Sequence, residues 1–135
     1  MSVYLDSSAC VKLFRRERFT ENMADLIRGL QAESGQKMFA SSLTALETSR
    51  ALERDGVSPA QSMEFFAAID QLAISGRVLE QARELQPFSL RTLDAIHLAT
   101  ALVVSAAMPI RFVTYDRQLA AAASAAKLEV LAPGL

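Results

Sequence analysis

A chain of 135 residues has room for one domain, read here as residues 1–135, and enough length to bury a core of its own. With 51% hydrophobic and 21% charged residues it is not a disordered chain. A formal charge of −1, from 14 basic and 15 acidic residues, excludes a globally basic nucleic-acid binder, and a single cysteine, Cys10, excludes an internal disulfide framework.

In chain order, Val3-Tyr4-Leu5 is a short strand stopped by Asp6-Ser7-Ser8, three good helix caps. A helix follows through Ala9 to Phe14 and turns basic at Arg15, Arg16 and Arg18. A second helix covers Thr20 to Ala32, with Met23, Leu26, Ile27 and Leu30 at helical spacing. Lys37 to Ser41 is the next strand, and Leu43 to Arg54 a helix whose Thr44-x-x-Glu47 fits a capping box. Ser58-Pro59-Ala60-Gln61 starts another helix, expected to end near Leu72, with a strand at Leu72-Ala73-Ile74. Arg77 to Leu85 is a short amphipathic helix. A very apolar helix then carries Asp94 and the only histidine, His97, on one face. Arg111 to Tyr115 is a strand, Asp116 starts a helix, and Leu128 to Leu131 is the last strand.

The most apolar stretch, Ile96 to Ile110, is interrupted by His97, Ser105 and Pro109, so no membrane span is expected. No basic leader precedes an apolar segment, and the expectation is a cytoplasmic protein.

Strands alternating with helices imply a parallel sheet covered on both faces. Active sites of such sheets lie beyond the carboxyl ends of the strands, near a topological switch point. Asp6 and Asp116 sit just past strands, and Glu47 and Asp94 lie early in apolar helices. Each has a structural explanation of its own: Asp6 and Asp116 as caps, Glu47 in its capping box, Asp94 beside the helix macrodipole. Together, three or four carboxylates at one sheet edge repel, and a divalent cation resolves the repulsion. Mg²⁺ and Mn²⁺ prefer oxygen ligands and favour phosphodiester hydrolysis by activated water. Ser8 is placed to hold a water or a phosphate oxygen, or simply to cap. His97 reads foremost as a satisfied packing residue, and otherwise as a partner of the acids. Thr114 lies at the pocket edge, while Tyr4 and Tyr115 read as strand residues. Lys12, Arg15, Arg16, Arg50, Arg91 and Arg117 are near enough in sequence to the acids to grip phosphates.

The segments Tyr4-Leu5-Asp6-Ser7-Ser8-Ala9, Leu43 to Leu52, Leu93-Asp94-Ala95-Ile96-His97-Leu98-Ala99 and Val113 to Leu119 resemble, in order and spacing, those of PIN-domain ribonucleases. Within these the chain is most similar to VapC-type toxins of bacterial toxin–antitoxin pairs. The resemblance implies a three-layer α/β/α sandwich around a parallel sheet of four or five strands. It implies an Mg²⁺- or Mn²⁺-dependent endoribonuclease, with Asp6, Glu47, Asp94 and Asp116 as metal-binding acids and Ser8 as a supporting hydroxyl. It further implies an RNA substrate, a VapB-type antitoxin and a homodimer. The residues leave two other readings open: a non-catalytic binding module on the same fold, and an aspartate-based phosphotransfer enzyme. The second is opposed by Ser8, which stands where a dehalogenase-like phosphatase has its second aspartate.

Overall fold

A computed structural model describes residues 1–135. Five parallel strands form one sheet: β1 (Ser2–Leu5), β2 (Met38–Ser41), β3 (Asp70–Leu72), β4 (Ile110–Val113) and β5 (Glu129–Leu131). Seven helices connect and cover them: α1 (Ser7–Phe14), α2 (Thr20–Ala32), α3 (Ser42–Arg54), α4 (Ala60–Ala67), α5 (Gly76–Glu84), α6 (Thr92–Ser105) and α7 (Arg117–Ala125). The strand order is β3-β2-β1-β4-β5. The chain therefore winds outward from β1 to β3, then returns beside β1 and winds the other way. The reversal falls between β1 and β4, where Leu5 is in register with Val113.

Strand periodicity divides the core. Tyr4, Phe39 and Phe112 point to one face and pack with Leu98 and Ala101 of α6 and Leu119 and Ala123 of α7. Their neighbours Val3, Leu5, Ala40 and Val113 point to the other and pack with Cys10 of α1, Met23 and Ile27 of α2 and Phe66 of α4. Successive residues of a strand face opposite sides, so one short apolar strand feeds two helical layers. Tyr4 stacks on Phe112 with ring centroids 5.3 Å apart. Helix α6 is buried almost all round from Ala95 to Ala101 because α5 covers its outer side through Val78. This is the α/β/α sandwich with a five-stranded parallel sheet.

Two local expectations are corrected. Helix α4 stops at Ala67 rather than near Leu72, and β3 is Asp70–Leu72 rather than Leu72–Ile74. Its polar residues pair with β2, Phe39 with Asp70 and Ser41 with Leu72, and Gln71 Nε2 donates to Phe66 O at 2.9 Å, closing the end of α4. At an exposed sheet edge, backbone pairing decides where the strand lies and hydropathy does not. The capping box at Thr44 does not form. Ser41 is the cap of α3, its Oγ accepting from Leu43 N at 3.1 Å. Thr44 is buried within the first turns, and Glu47 is turned to another partner.

Candidate active site

The carboxyl ends of β1 and β4 meet at the switch point, and short polar side chains lace them together. Asp6 follows β1 and caps α1, with Oδ1 accepting from Ala9 N at 3.0 Å. The same oxygen accepts from Ser8 Oγ at 2.8 Å, and Oδ2 accepts from Thr114 Oγ1 at 2.6 Å. Thr114 Oγ1 in turn accepts from Asp116 N at 3.1 Å, and Ser8 Oγ accepts from Tyr115 N at 2.9 Å. Two hydroxyls thus bind the β1 end to the β4 end through one carboxylate. Asp6 is only 3% exposed. Burial pushes its pKa above the ordinary value, against the opposing pull of Thr114, Ser8 and the Ala9 amide.

Asp116 caps α7, Oδ1 accepting from Leu119 N at 2.9 Å. The cap explanation therefore holds for Asp6 and Asp116, and in both cases it fixes the carboxylate at the strand end. Asp94 lies in the first turn of α6 with its side chain 19% exposed, 3.8 Å from the Arg91 guanidinium. Burial raises its pKa, followed by the charge of Asp116 and, more weakly, of Glu47, while Arg91 and His97 oppose. The three acids therefore share one field, although they come from three helices.

Glu47 is held by His97, whose Nε2 lies 2.5 Å from Glu47 Oε1. The imidazole is 1% exposed. Its Nδ1 faces Tyr4 Oη at 3.1 Å and Thr44 Oγ1 at 3.3 Å, and Thr44 also donates to Leu5 O at 3.4 Å. Burial holds the Tyr4 phenol far above its ordinary pKa, so it remains a hydroxyl donor. The arrangement fits an imidazole that accepts at Nδ1 from Tyr4 and donates at Nε2 to the carboxylate.

Glu47 lies between two clefts. One, of about 460 Å³, is lined by Ser7, Ser8, Lys12, Arg15, Glu17, Arg50, Arg54 and Tyr115. The other, of about 260 Å³, is lined by Arg91, Thr92, Leu93 and Asp94. Of the anticipated basic residues, Lys12, Arg15 and Arg50 line the first and Arg91 the second, while Arg16 and Arg117 line neither. Arg54 was not anticipated, though it repeats the Glu47 position seven residues on, the same helix face. Thr114 proves to be the hub between Asp6 and Asp116. Ser8 is less free than anticipated, because its hydroxyl hydrogen goes to Asp6. Tyr115 lies beyond β4 and not in it, half-buried and stacked on Phe19 at 5.5 Å.

No three carboxylate, imidazole or thiol groups are gathered tightly enough to hold a metal ion by themselves. The donors are nevertheless oxygens, and Asp94 carries the repulsion of two neighbouring acids. That suits Mg²⁺ or Mn²⁺, which use few carboxylates and complete their shells with waters and substrate phosphate, and it does not suit zinc.

The model of the PIN domain family matches residues 3–125. Ribonuclease VapC46 of Mycobacterium tuberculosis is 38% identical over 133 residues, covering 98% of this chain and 98% of the relative. Among solved structures, VapC20 of M. tuberculosis, described as a sarcin–ricin loop cleaving toxin, aligns with a TM-score of 0.72 at 16% identity over 97% of this chain and 99% of its own. A toxin–antitoxin complex from Klebsiella pneumoniae aligns with a TM-score of 0.71 at 18% identity over 97% of both chains. At those identities the two structures speak for the fold alone, while the family model and the near full-length sequence match speak for descent. With the family model matched over residues 3–125 and Asp6 and Asp116 at the β1–β4 switch point, the chain belongs to the PIN domain family.

Proposed function

We propose that this chain is a divalent-ion-dependent endoribonuclease and the toxin of a toxin–antitoxin pair. One observation carries the reading: Asp6 and Asp116 stand at the joined ends of β1 and β4, Asp94 lies in the field of Asp116 and Glu47, and Glu47 lines a cleft with Lys12, Arg15, Arg50 and Arg54. Its close likeness to a ribonuclease of the VapC type supports the same reaction, and its likeness in fold to a toxin–antitoxin complex supports an antitoxin partner, here of the VapB type.

In this reading Asp94, Asp116, Glu47 and Asp6 hold Mg²⁺ or Mn²⁺. When bound, such an ion supplies Lewis-acid stabilisation of the phosphodiester and makes water a competent nucleophile. The chain's own residues do the rest. Ser8 and Thr114 orient Asp6, His97 orients Glu47, and the cations of the larger cleft hold the phosphates of RNA on the flank of the scissile one. A homodimer is part of the same proposal, with a sizing column as its check.

The direct test is cleavage of RNA by purified chain in Mg²⁺, in Mn²⁺ and in EDTA, with Asp6→Ala, Glu47→Ala, Asp94→Ala and Asp116→Ala alongside. Cleavage restricted to wild type plus ion supports the proposal. Undiminished cleavage in EDTA removes the ion from it, and undiminished cleavage by any one variant removes that residue.

A further inference from the structure

The larger cleft holds four cations in two different states. Arg50 and Arg54, both exposed on α3, have no carboxylate partner. Lys12 and Arg15, at the end of α1, are both taken by one residue, Glu17. Its Oε1 accepts from Lys12 Nζ at 2.9 Å and its Oε2 from the Arg15 guanidinium at 2.7 Å, and Asp55 holds Arg15 from the far side.

Glu17 is presented by a built turn. Its backbone N donates to Thr20 Oγ1 at 3.0 Å, and Thr20 Oγ1 donates to Arg15 O at 3.3 Å. Phe19 next to it takes a left-handed backbone, φ +70°, unusual for a side chain of its size. Its ring stacks on Tyr115, and Lys12 Nζ lies 4.5 Å from the Tyr115 centroid. Tyr115 stands between Thr114 and Asp116, so the turn rests directly on the acid site. A carboxylate bridging a lysine and an arginine presents two oxygens where a phosphodiester would present its two non-bridging oxygens.

We propose that Lys12 and Arg15 form a subsite for an RNA phosphate flanking the scissile one, and that Glu17 occupies it as an internal competitor until RNA displaces the carboxylate. The proposal rests on the ribonuclease reading and adds a regulation to it. Arg50 and Arg54 are the open half of the cleft and take the first phosphate; the Glu17 half opens second. A merely structural Glu17, tying the end of α1 to the start of α2, predicts a weaker protein and unchanged RNA affinity when it is lost.

The test is anisotropy of a fluorescently labelled single-stranded RNA in EDTA, where no cleavage interferes. Glu17→Gln is compared with wild type and with Glu80→Gln, which makes the same charge change on the exposed face of α5. Glu17→Gln should bind about three- to tenfold more tightly at low salt, the range expected when a partly exposed ion pair no longer has to be broken. Asp55→Asn, which removes one of the two carboxylates on Arg15 without touching the turn, should show a smaller gain of the same sign. Equal affinity of Glu17→Gln and wild type, with RNA still bound, overturns the competitor and leaves the ribonuclease reading standing. An equal gain in Glu80→Gln also overturns it, because net charge would then suffice. RNA binding by neither protein overturns both.

Discussion

His97 Nε2 lies 2.5 Å from Glu47 Oε1, although the two residues are fifty positions apart and on different helices. One buried imidazole therefore fixes the direction of an acid whose other side is open to solvent. Partners of this kind, behind a metal-binding carboxylate, contribute about 10- to 100-fold in affinity or activity. His97→Asn, too short to reach Glu47, should raise the Mg²⁺ concentration for half-maximal cleavage by about that factor. His97→Gln, whose amide can reach it, should restore much of the loss. Equal defects in the two variants at equal stability would make His97 a packing residue only.

Asp6 carries opposite consequences for stability and activity. Its folded-state pKa lies above the ordinary 3.8, chiefly through burial. For an acid shifted upward, stability is fullest below the unfolded value and is lost as pH rises through the folded one. Wherever it is ionised, the buried side chain is therefore a liability in metal-free protein. Asp6→Asn in EDTA should melt at or above the wild-type temperature and be inactive. Mg²⁺ should raise the wild-type midpoint and leave the variant's unmoved, through binding to the folded state alone.

Glu17 gives the contrary sign. Burial raises its pKa, but hydrogen bonds and charge from Lys12 and Arg15 outweigh it, and the net shift is below the ordinary 4.5. Its contribution is present above that value and lost as pH falls through the folded pKa. Urea denaturation as a function of pH should show a shallower acid limb for Glu17→Gln than for wild type, with the curves converging at the acid end.

The core makes a plainer demand. Phe112 is fully buried and stacked on Tyr4 at the centre of the sheet. Phe112→Ala should lose about 3–5 kcal/mol of unfolding free energy by chemical denaturation. Because Tyr4 also orients His97, the surviving folded protein should show a weakened Mg²⁺ response.

Much of this was legible from residue types alone. Alternating short strands and periodic helices identify the parallel sheet, and Asp6 and Asp116 announce themselves by standing just past strands. What stayed hidden has physical reasons. Asp70 and Gln71 do not look like a strand, because an edge strand needs only backbone pairing. Thr44 and Glu47 have capping-box spacing, but Ser41, three residues earlier, supplies the cap. The Tyr4–His97–Glu47 chain joins a strand and two helices, so no local pattern marks it. The bridge of Glu17 to Lys12 and Arg15 depends on a turn whose left-handed residue is a phenylalanine and not a glycine.

The most direct measurement is the end chemistry of cut RNA. Attack by water leaves linear phosphate ends, whereas attack by the ribose 2′-hydroxyl leaves cyclic ones. Total RNA incubated with wild type or Asp94→Asn, with and without Mg²⁺, should yield new linear ends only with wild type and the ion. Cyclic phosphate ends formed without a divalent ion, or wild-type cleavage by Asp94→Asn, would contradict the assignment of the switch-point acids.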